Sequence, residues 1–202
     1  MQLLLVRHAL PLRSDYGQGS DPELSEEGLS QCARLPDALA RFPISRLFSS
    51  PQRRAIQTAE PVAASRGLAI EVDDRWAEYD RDLPMYIPIE QVREENTQEW
   101  ARLAEGRLPG AVDEEMFASR VRAAMEAVRD AAGHEETVAV FSHGGVINLV
   151  LHEILGTERL LSFSIDYASV TRVLFSRSGQ ASVASVNGTE HVWDLLPRNR
   201  RW

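Results

Sequence analysis

The sequence predicts an α/β fold, a three-layer α/β/α sandwich with a mainly parallel central sheet. Two observations carry that expectation. The runs Leu3-Leu4-Leu5-Val6 and Val138-Ala139-Val140-Phe141 are apolar without interruption and read as strands buried on both faces. Between such runs lie segments of helical apolar spacing with recognisable caps, so strands and helices alternate as in βαβ units. The 202 residues, 44% hydrophobic and 26% charged, suffice for one domain over 1–202 with a proper core.

Leu3 to Val6 is the first strand. Residues 11–23 carry Pro11, Gly17, Gly19 and Pro22 and form a loop. Ser25 is the expected N-cap of a helix with Glu26 and Glu27 in its first turn. Its apolar face is Leu29, Cys32, Leu35 and Leu39, and Pro36 should kink or divide it. Arg46-Leu47-Phe48 is the second strand. Ser49-Ser50-Pro51 then offers a cap and an N1 proline for a helix to about Ser65, closed by Gly67. Leu68 to Val72 is the third strand. An acidic, aromatic stretch at 73–88 is broken by Pro84 and Pro88. Helices are expected at about 88–105 and 113–132, the second capped by Asp113. After the strand Thr137 to Phe141, Ser142-His143-Gly144-Gly145 turns into the apolar helix Val146 to Leu155. Strands at 169–176 and 181–187 follow, with Gly179 in the turn between them. Residues 79–112 read as a helical insertion, a lid over one edge, rather than a second domain.

Composition narrows the chemistry. All 22 basic residues are arginine. Without lysine there is no Schiff-base chemistry and no Walker A lysine. The single cysteine, Cys32, excludes disulfides and cysteine-rich metal sites within the chain and reads as a small core residue. A net charge of −8 speaks against nucleic-acid binding. No apolar run approaches the ~18 residues of a membrane span, and the expected location is cytoplasmic. An anion handled by this protein must therefore be drawn in by a local cluster of arginines.

Ligands of parallel sheets collect at the carboxyl ends of the strands. The first strand runs into Arg7-His8, the second into Ser49-Ser50-Pro51-Gln52-Arg53-Arg54, the third toward Glu78, and the Val138 strand into Ser142-His143-Gly144. Two histidines, two arginines and a carboxyl group on one rim suit phosphoryl transfer. Guanidinium forks match phosphate oxygens and remain charged at any working pH. They favour a neutral imidazole, which can attack phosphorus, and they neutralise the transferring group. A carboxyl group can protonate the departing alcohol oxygen.

Leu5-Val6-Arg7-His8, the segment Ser49 to Ala59 and Ser142-His143-Gly144-Gly145 together resemble the signature segments of the histidine phosphatase superfamily, also called phosphoglycerate mutase-like. Ser-Ser-Pro-x-x-Arg-Ala-x-Gln-Thr-Ala is the most specific of them, and the resemblance spans nearly the whole chain in order and spacing. It implies that His8 is the phosphorylated nucleophile and that Arg7, Arg54 and His143 form the phosphate pocket. It further implies a backbone N–H from Gly144 and a proton from Glu78; by position alone, the neighbouring Asp74, Asp80 and Asp82 are alternative donors. No metal or organic cofactor is implied. Ala9 stands where the family has glycine, a change that alanine tolerates unless φ is positive. Leu10 replaces the usual Glu, and Ser14 stands at a common substrate-binding Asn. The family's Gly-rich, Trp-containing segment after the acid is replaced by Tyr79-Asp80-Arg81-Asp82-Leu83-Pro84, and the mutases' substrate-binding lysine is missing.

The reading is a phosphomonoester hydrolase, with a phosphoglycerate mutase-type phosphotransferase as alternative and a non-catalytic phospholigand-binding protein as a third. The expected partner is a small phosphorylated metabolite or a phosphopeptide, with no nucleic acid and no membrane; a homodimer is left open. His134 is read as a surface-turn residue, His152 as packing or surface and His191 as structural, and a zinc reading is set aside because none has metal-ligand spacing. Trp76, Trp100, Tyr79 and Tyr86 are read as core first and substrate mouth second. Arg198, Arg200 and Arg201 form a basic tail ending in Trp202.

Overall fold

The computed structural model describes residues 1–12, 21–82 and 97–199. Its strands are β1 (Gln2–Arg7), β2 (Ile44–Ser49), β3 (Ile70–Val72), β4 (Thr137–Ser142), β5 (Val170–Phe175) and β6 (Ala181–Gly188). They form one sheet in the order β3-β2-β4-β1-β5-β6. β1 to β4 pair in parallel, whereas β5 and β6 add an antiparallel hairpin beside β1. The helices are α1 (Glu26–Ala33), α2 (Leu35–Ala38), α3 (Arg53–Arg66), α4 (Thr97–Ala104), α5 (Glu114–Ala131) and α6 (Gly144–Leu155). No helix among the described residues is long and apolar enough to cross a membrane.

The uninterrupted apolar runs are explained by two cores. Side chains alternate across a strand. Leu3, Leu5, Val138 and Val140 therefore face one side, with Phe117, Val121 and Val128 of α5 and Val146 and Leu149 of α6. Leu4, Val6, Ala139 and Phe141 face the other, with Cys32, Leu35, Leu39, Ala59 and Val62. Each fully buried Leu or Val contributes about 1.5–3 kcal/mol, so the central strands are the most firmly anchored part of the molecule.

Several boundaries differ from the sequence expectation. Ser25 caps α1 through Gly28 N–H, and the chain breaks at Arg34 before Pro36, as expected. Leu29, however, is exposed. The buried positions of α1 are Gly28, Gln31 and Cys32, because Gln31 uses its amide to bind Leu10 N–H and Leu195 C=O. Pro51 does not open α3. Ser50 N–H continues the β2–β4 pairing to Phe141 C=O at 2.9 Å, which delays the helix to Arg53. Its first N–H is capped from a distance by both carboxylate oxygens of Asp21, at 3.0 and 2.9 Å. Gly67 ends α3 with φ 63°, as anticipated. β3 is shorter than expected, because Leu68 N–H turns back to Ala63 C=O. Asp113 caps α5 through Met116 N–H. Residues 83–96, which hold much of the proposed insertion and Tyr86, lie outside the described residues, as do Arg200, Arg201 and Trp202.

Candidate active site

Arg7 ends β1, and His8 follows it directly. The His8 backbone is held between two neighbours: its N–H donates to Ser142 C=O at 2.8 Å, and its C=O accepts from Ala168 N–H at 3.2 Å. The buried His8 ring donates from Nδ1 to Ala9 C=O at 2.8 Å. A carbonyl only accepts, so Nδ1 carries the proton and Nε2 keeps its lone pair. Burial, then the charges of Arg54 and Arg7, hold the His8 pKa well below its ordinary value. The imidazole is neutral at working pH. Ala9 is outside the positive-φ region, which explains how alanine fits there, and its N–H donates to Thr58 Oγ1 at 3.0 Å.

Arg7 donates from Nη1 to Ile165 C=O and lies over the Tyr167 ring, 3.9 Å from its centroid. Arg54, in the first turn of α3, is fully buried. Its Nη2 donates to both Asp80 oxygens at 3.1 Å, and its Nη1 is 3.6 Å from Asp21. Asp80 also accepts from Gln52 Nε2 at 2.9 Å. Both Asp80 oxygens are thus acceptors already. The Ser49–Ala59 segment as a whole builds this corner: Ala55 and Ala59 are buried, Thr58 holds Ala9, and Gln57 Oε1 accepts from Leu24 N–H.

His143 is the residue before α6, and its side chain does not cap the helix. Its buried ring lies 5.1 Å from His8, centroid to centroid. His143 Nε2 meets Ser50 Oγ at 2.7 Å, while Nδ1 is buried without a hydrogen-bond partner among the described residues. Burial, followed by Arg54, His8, Arg7 and Arg120, keeps its pKa well below the ordinary value.

Glu78 lies between two 3₁₀ turns, Asp74–Trp76 and Tyr79–Asp82. Its Oε2 accepts from Gly145 N–H at 2.8 Å, and its Oε1 from Tyr79 N–H at 3.1 Å. This contact explains the second glycine of His-Gly-Gly, since a Cβ on Gly145 would sit 2.4 Å from Glu78 Oε1. Burial, and next the charge of Asp80, push the Glu78 pKa up to about 7. Arg120 of α5 fixes the segment from behind. Its guanidinium donates to the carbonyls of Asp74, Arg75, Ala77 and Glu78 at 2.7 to 3.3 Å.

Arg7, His8, Arg54, Glu78, His143 and Gly144 therefore come together at the carboxyl ends of the parallel strands. Gly144 opens α6 beside Arg7, the Arg7 Nε being 3.6 Å from where a Gly144 Cβ would stand. Ser14 lies outside the described residues. His134 is exposed, His152 pairs with Thr157 Oγ1, and His191 Nε2 donates to Ala168 C=O, one step behind His8. Trp76 is wholly in the core, and Tyr79 packs edge-on against Phe117. Sequence reasoning missed Ser50, Gln52, Tyr167 and Arg120 as parts of the site. Ser50 and Gln52 lay inside the recognised segment; Arg120 and Tyr167 carry no local signal, since only tertiary folding brings them near.

This arrangement of two histidines, two arginines and a buried carboxyl group defines a class. The chain belongs to the histidine phosphatase superfamily (branch 1), whose family model matches residues 3–188. It is 29% identical to phosphoserine phosphatase 1 of Hydrogenobacter thermophilus over 96% of both chains. It is also 29% identical to the probable phosphoglycerate mutase GpmB of Escherichia coli, over 88% of this chain and 86% of that protein. Among solved structures, a mycobacterial glucosyl-3-phosphoglycerate phosphatase shares the fold with a TM-score of 0.77 and 23% identity, covering 93% of this chain and 98% of the other. The α-ribazole phosphatase of Shigella flexneri does so with a TM-score of 0.71 and 19% identity, covering 93% and 96%.

Proposed function

We propose that this chain is a cytoplasmic phosphomonoester hydrolase working through a phosphohistidine at His8, in a single domain whose 79–112 insertion influences substrate choice. One observation carries the reading. The proton on His8 Nδ1 is committed to Ala9 C=O, which leaves a neutral Nε2 lone pair among two guanidinium groups.

Arg7, Arg54, His143 and the Gly144 N–H hold the non-bridging oxygens of a phosphomonoester. The His8 Nε2 lone pair forms the P–N bond as the P–O bond to the alcohol breaks. Glu78, protonated near neutrality, gives its proton to the departing oxygen. The resulting carboxylate takes a proton from water as that oxygen attacks phosphorus; the P–N bond then breaks and inorganic phosphate leaves. Glu78 is favoured as donor because burial lets it keep its proton to about pH 7, whereas Asp80 is ion-paired with Arg54. The relatives named for phosphoserine, glucosyl-3-phosphoglycerate and α-ribazole phosphate point to small phosphorylated metabolites as substrates.

Brief incubation with 32P-labelled substrate should trap an acid-labile, base-stable phosphoprotein, and His8→Ala should abolish both label and turnover. Wild-type activity in His8→Ala would remove the reading. Conversion of 3-phosphoglycerate to 2-phosphoglycerate without phosphate release would favour the mutase-type alternative, against which the lack of lysine argues.

A further inference from the structure

A neutral imidazole has one proton, and which nitrogen holds it decides what it can do. For His143 the choice is set outside the reacting centre. Nδ1 is buried and unpartnered among the described residues, so it is the nitrogen left for a substrate oxygen. Phosphate oxygens accept hydrogen bonds, so Nδ1 must bring the proton and Nε2 must be the acceptor. The group at Nε2 is Ser50 Oγ, at 2.7 Å.

The surroundings of Ser50 fix the direction of that hydrogen bond. Ser50 is fully buried, and its backbone N–H is locked to Phe141 C=O. Its Oγ accepts from Gln52 N–H at 3.3 Å. The other acceptor within reach of the hydroxyl, Gln52 Oε1, is 3.4 Å away and already takes Glu78 N–H at 2.8 Å. The shorter path leads to His143.

We infer that Ser50 is a positioning residue that donates its hydroxyl proton to His143 Nε2 and thereby fixes the Nδ1–H tautomer, so that His143 presents a donor to the phosphoryl group. This rests on the hydrolase reading for the identity of the oxyanion, though not for the tautomer itself. His8 and His143 form a matched pair in this arrangement. Both carry the proton on Nδ1: His8 hides it against its own backbone and exposes a lone pair, whereas His143 hides the lone pair and offers the proton.

The test begins on the folded wild-type protein with 15N-labelled histidine, His143 being assigned by comparison with His143→Gln. Near neutrality, Nδ1 should resonate as a protonated ring nitrogen and Nε2 as an unprotonated one. A protonated Nε2 with a bare Nδ1 overturns the inference. Ser50→Ala, with its melting temperature checked, should show the two tautomers mixed. Its affinity for orthovanadate should fall by about tenfold, roughly the worth of one lost hydrogen bond, and Ser50→Thr should recover most of it. Unchanged tautomer and unchanged vanadate affinity in folded Ser50→Ala would also overturn it. Failure to trap a phosphoprotein at His8 would sink the hydrolase reading while the nitrogen spectrum still decided the tautomer.

Discussion

Arg7, His8 and His143 are carried by the ends of β1 and β4, the two central strands, whose neighbours on both sides supply backbone hydrogen bonds and whose side chains fill both cores. Glu78 faces them from a segment with no strand and only two 3₁₀ turns. Side chains hold that segment: Arg120 binds four of its carbonyls, Ser142 Oγ donates to Trp76 C=O at 2.8 Å, and Gln52 Oε1 accepts from Glu78 N–H. A position fixed by a sheet is shared among many weak contacts and survives the loss of any one. A position fixed by a few side chains, with one guanidinium taking four of the carbonyls, is more sensitive to the loss of a single residue. Nucleophile and cradle are thus built into the core, and the acid is attached to it.

The sharpest way to break this comparison is to remove the acid without disturbing the cradle. Glu78→Gln should slow hydrolysis of an alkyl phosphate by about 10²–10⁴, the span of general acid catalysis. It should barely change phosphoenzyme formation from p-nitrophenyl phosphate, whose leaving group departs unaided. Because the Glu78 pKa is raised to about 7, the alkyl reaction should also lose its basic limb in the variant. Equal slowing of both substrates in a pre-steady-state experiment would mean that Glu78 is only structural.

A smaller effect separates the two modes of attachment. Arg120→Leu unties the acid segment and should slow the alkyl substrate by roughly 10- to 100-fold, the size expected when a catalytic group is slightly misplaced. Orthovanadate affinity should hardly change. Arg7→Ala should instead weaken vanadate and slow both substrates alike, by about 10²–10³. If Arg120→Leu behaves like Arg7→Ala, the acid segment is part of the cradle and the distinction fails.

A further effect is on stability rather than rate, and its sign differs between the two regions. His8 and His143 have lowered pKa values, so the unfolded chain binds more protons below about pH 6.5 and stability falls as the solution is acidified. Glu78, raised from 4.5 to about 7, binds its proton in the folded state first, and its stabilising contribution is lost as pH rises through about 7. Glu78→Gln should therefore gain on the order of 2–3 kcal/mol over wild type at pH 8, an advantage that disappears by pH 4. Urea titrations at the two pH values check this; a pH-independent difference would refute the buried, protonated Glu78.

Legibility in the sequence follows the same division. The runs at Leu3–Val6 and Val138–Phe141 announce strands because they must be apolar on both faces, and the residues just beyond them are positioned by that fact alone. α3 starts two residues later than its local signals indicate, because Ser50 N–H stays in the sheet pairing and Asp21, from another part of the chain, takes the first helical N–H. Leu29 was misassigned because Gln31, a polar residue, took the buried stripe by satisfying its amide internally.

By itself, then, the sequence determined the alternation of strands and helices, the residues at the strand ends and the family to which they belong, since each is written in local periodicity or in contiguous segments. Tertiary structure alone decided which partners complete them. Arg120 reaches the Glu78 segment across 42 residues of chain, Ser50 reaches His143 across 93, and Asp80 meets Arg54 across 26. The protonation states that make the site work, a neutral His8 and a Glu78 that keeps its proton near pH 7, arise from burial first and then from the charges folding sets beside them, Arg54 and Arg7 at His8 and Asp80 at Glu78. In the unfolded chain these groups keep their ordinary pKa values; the shifts come into being when folding excludes water.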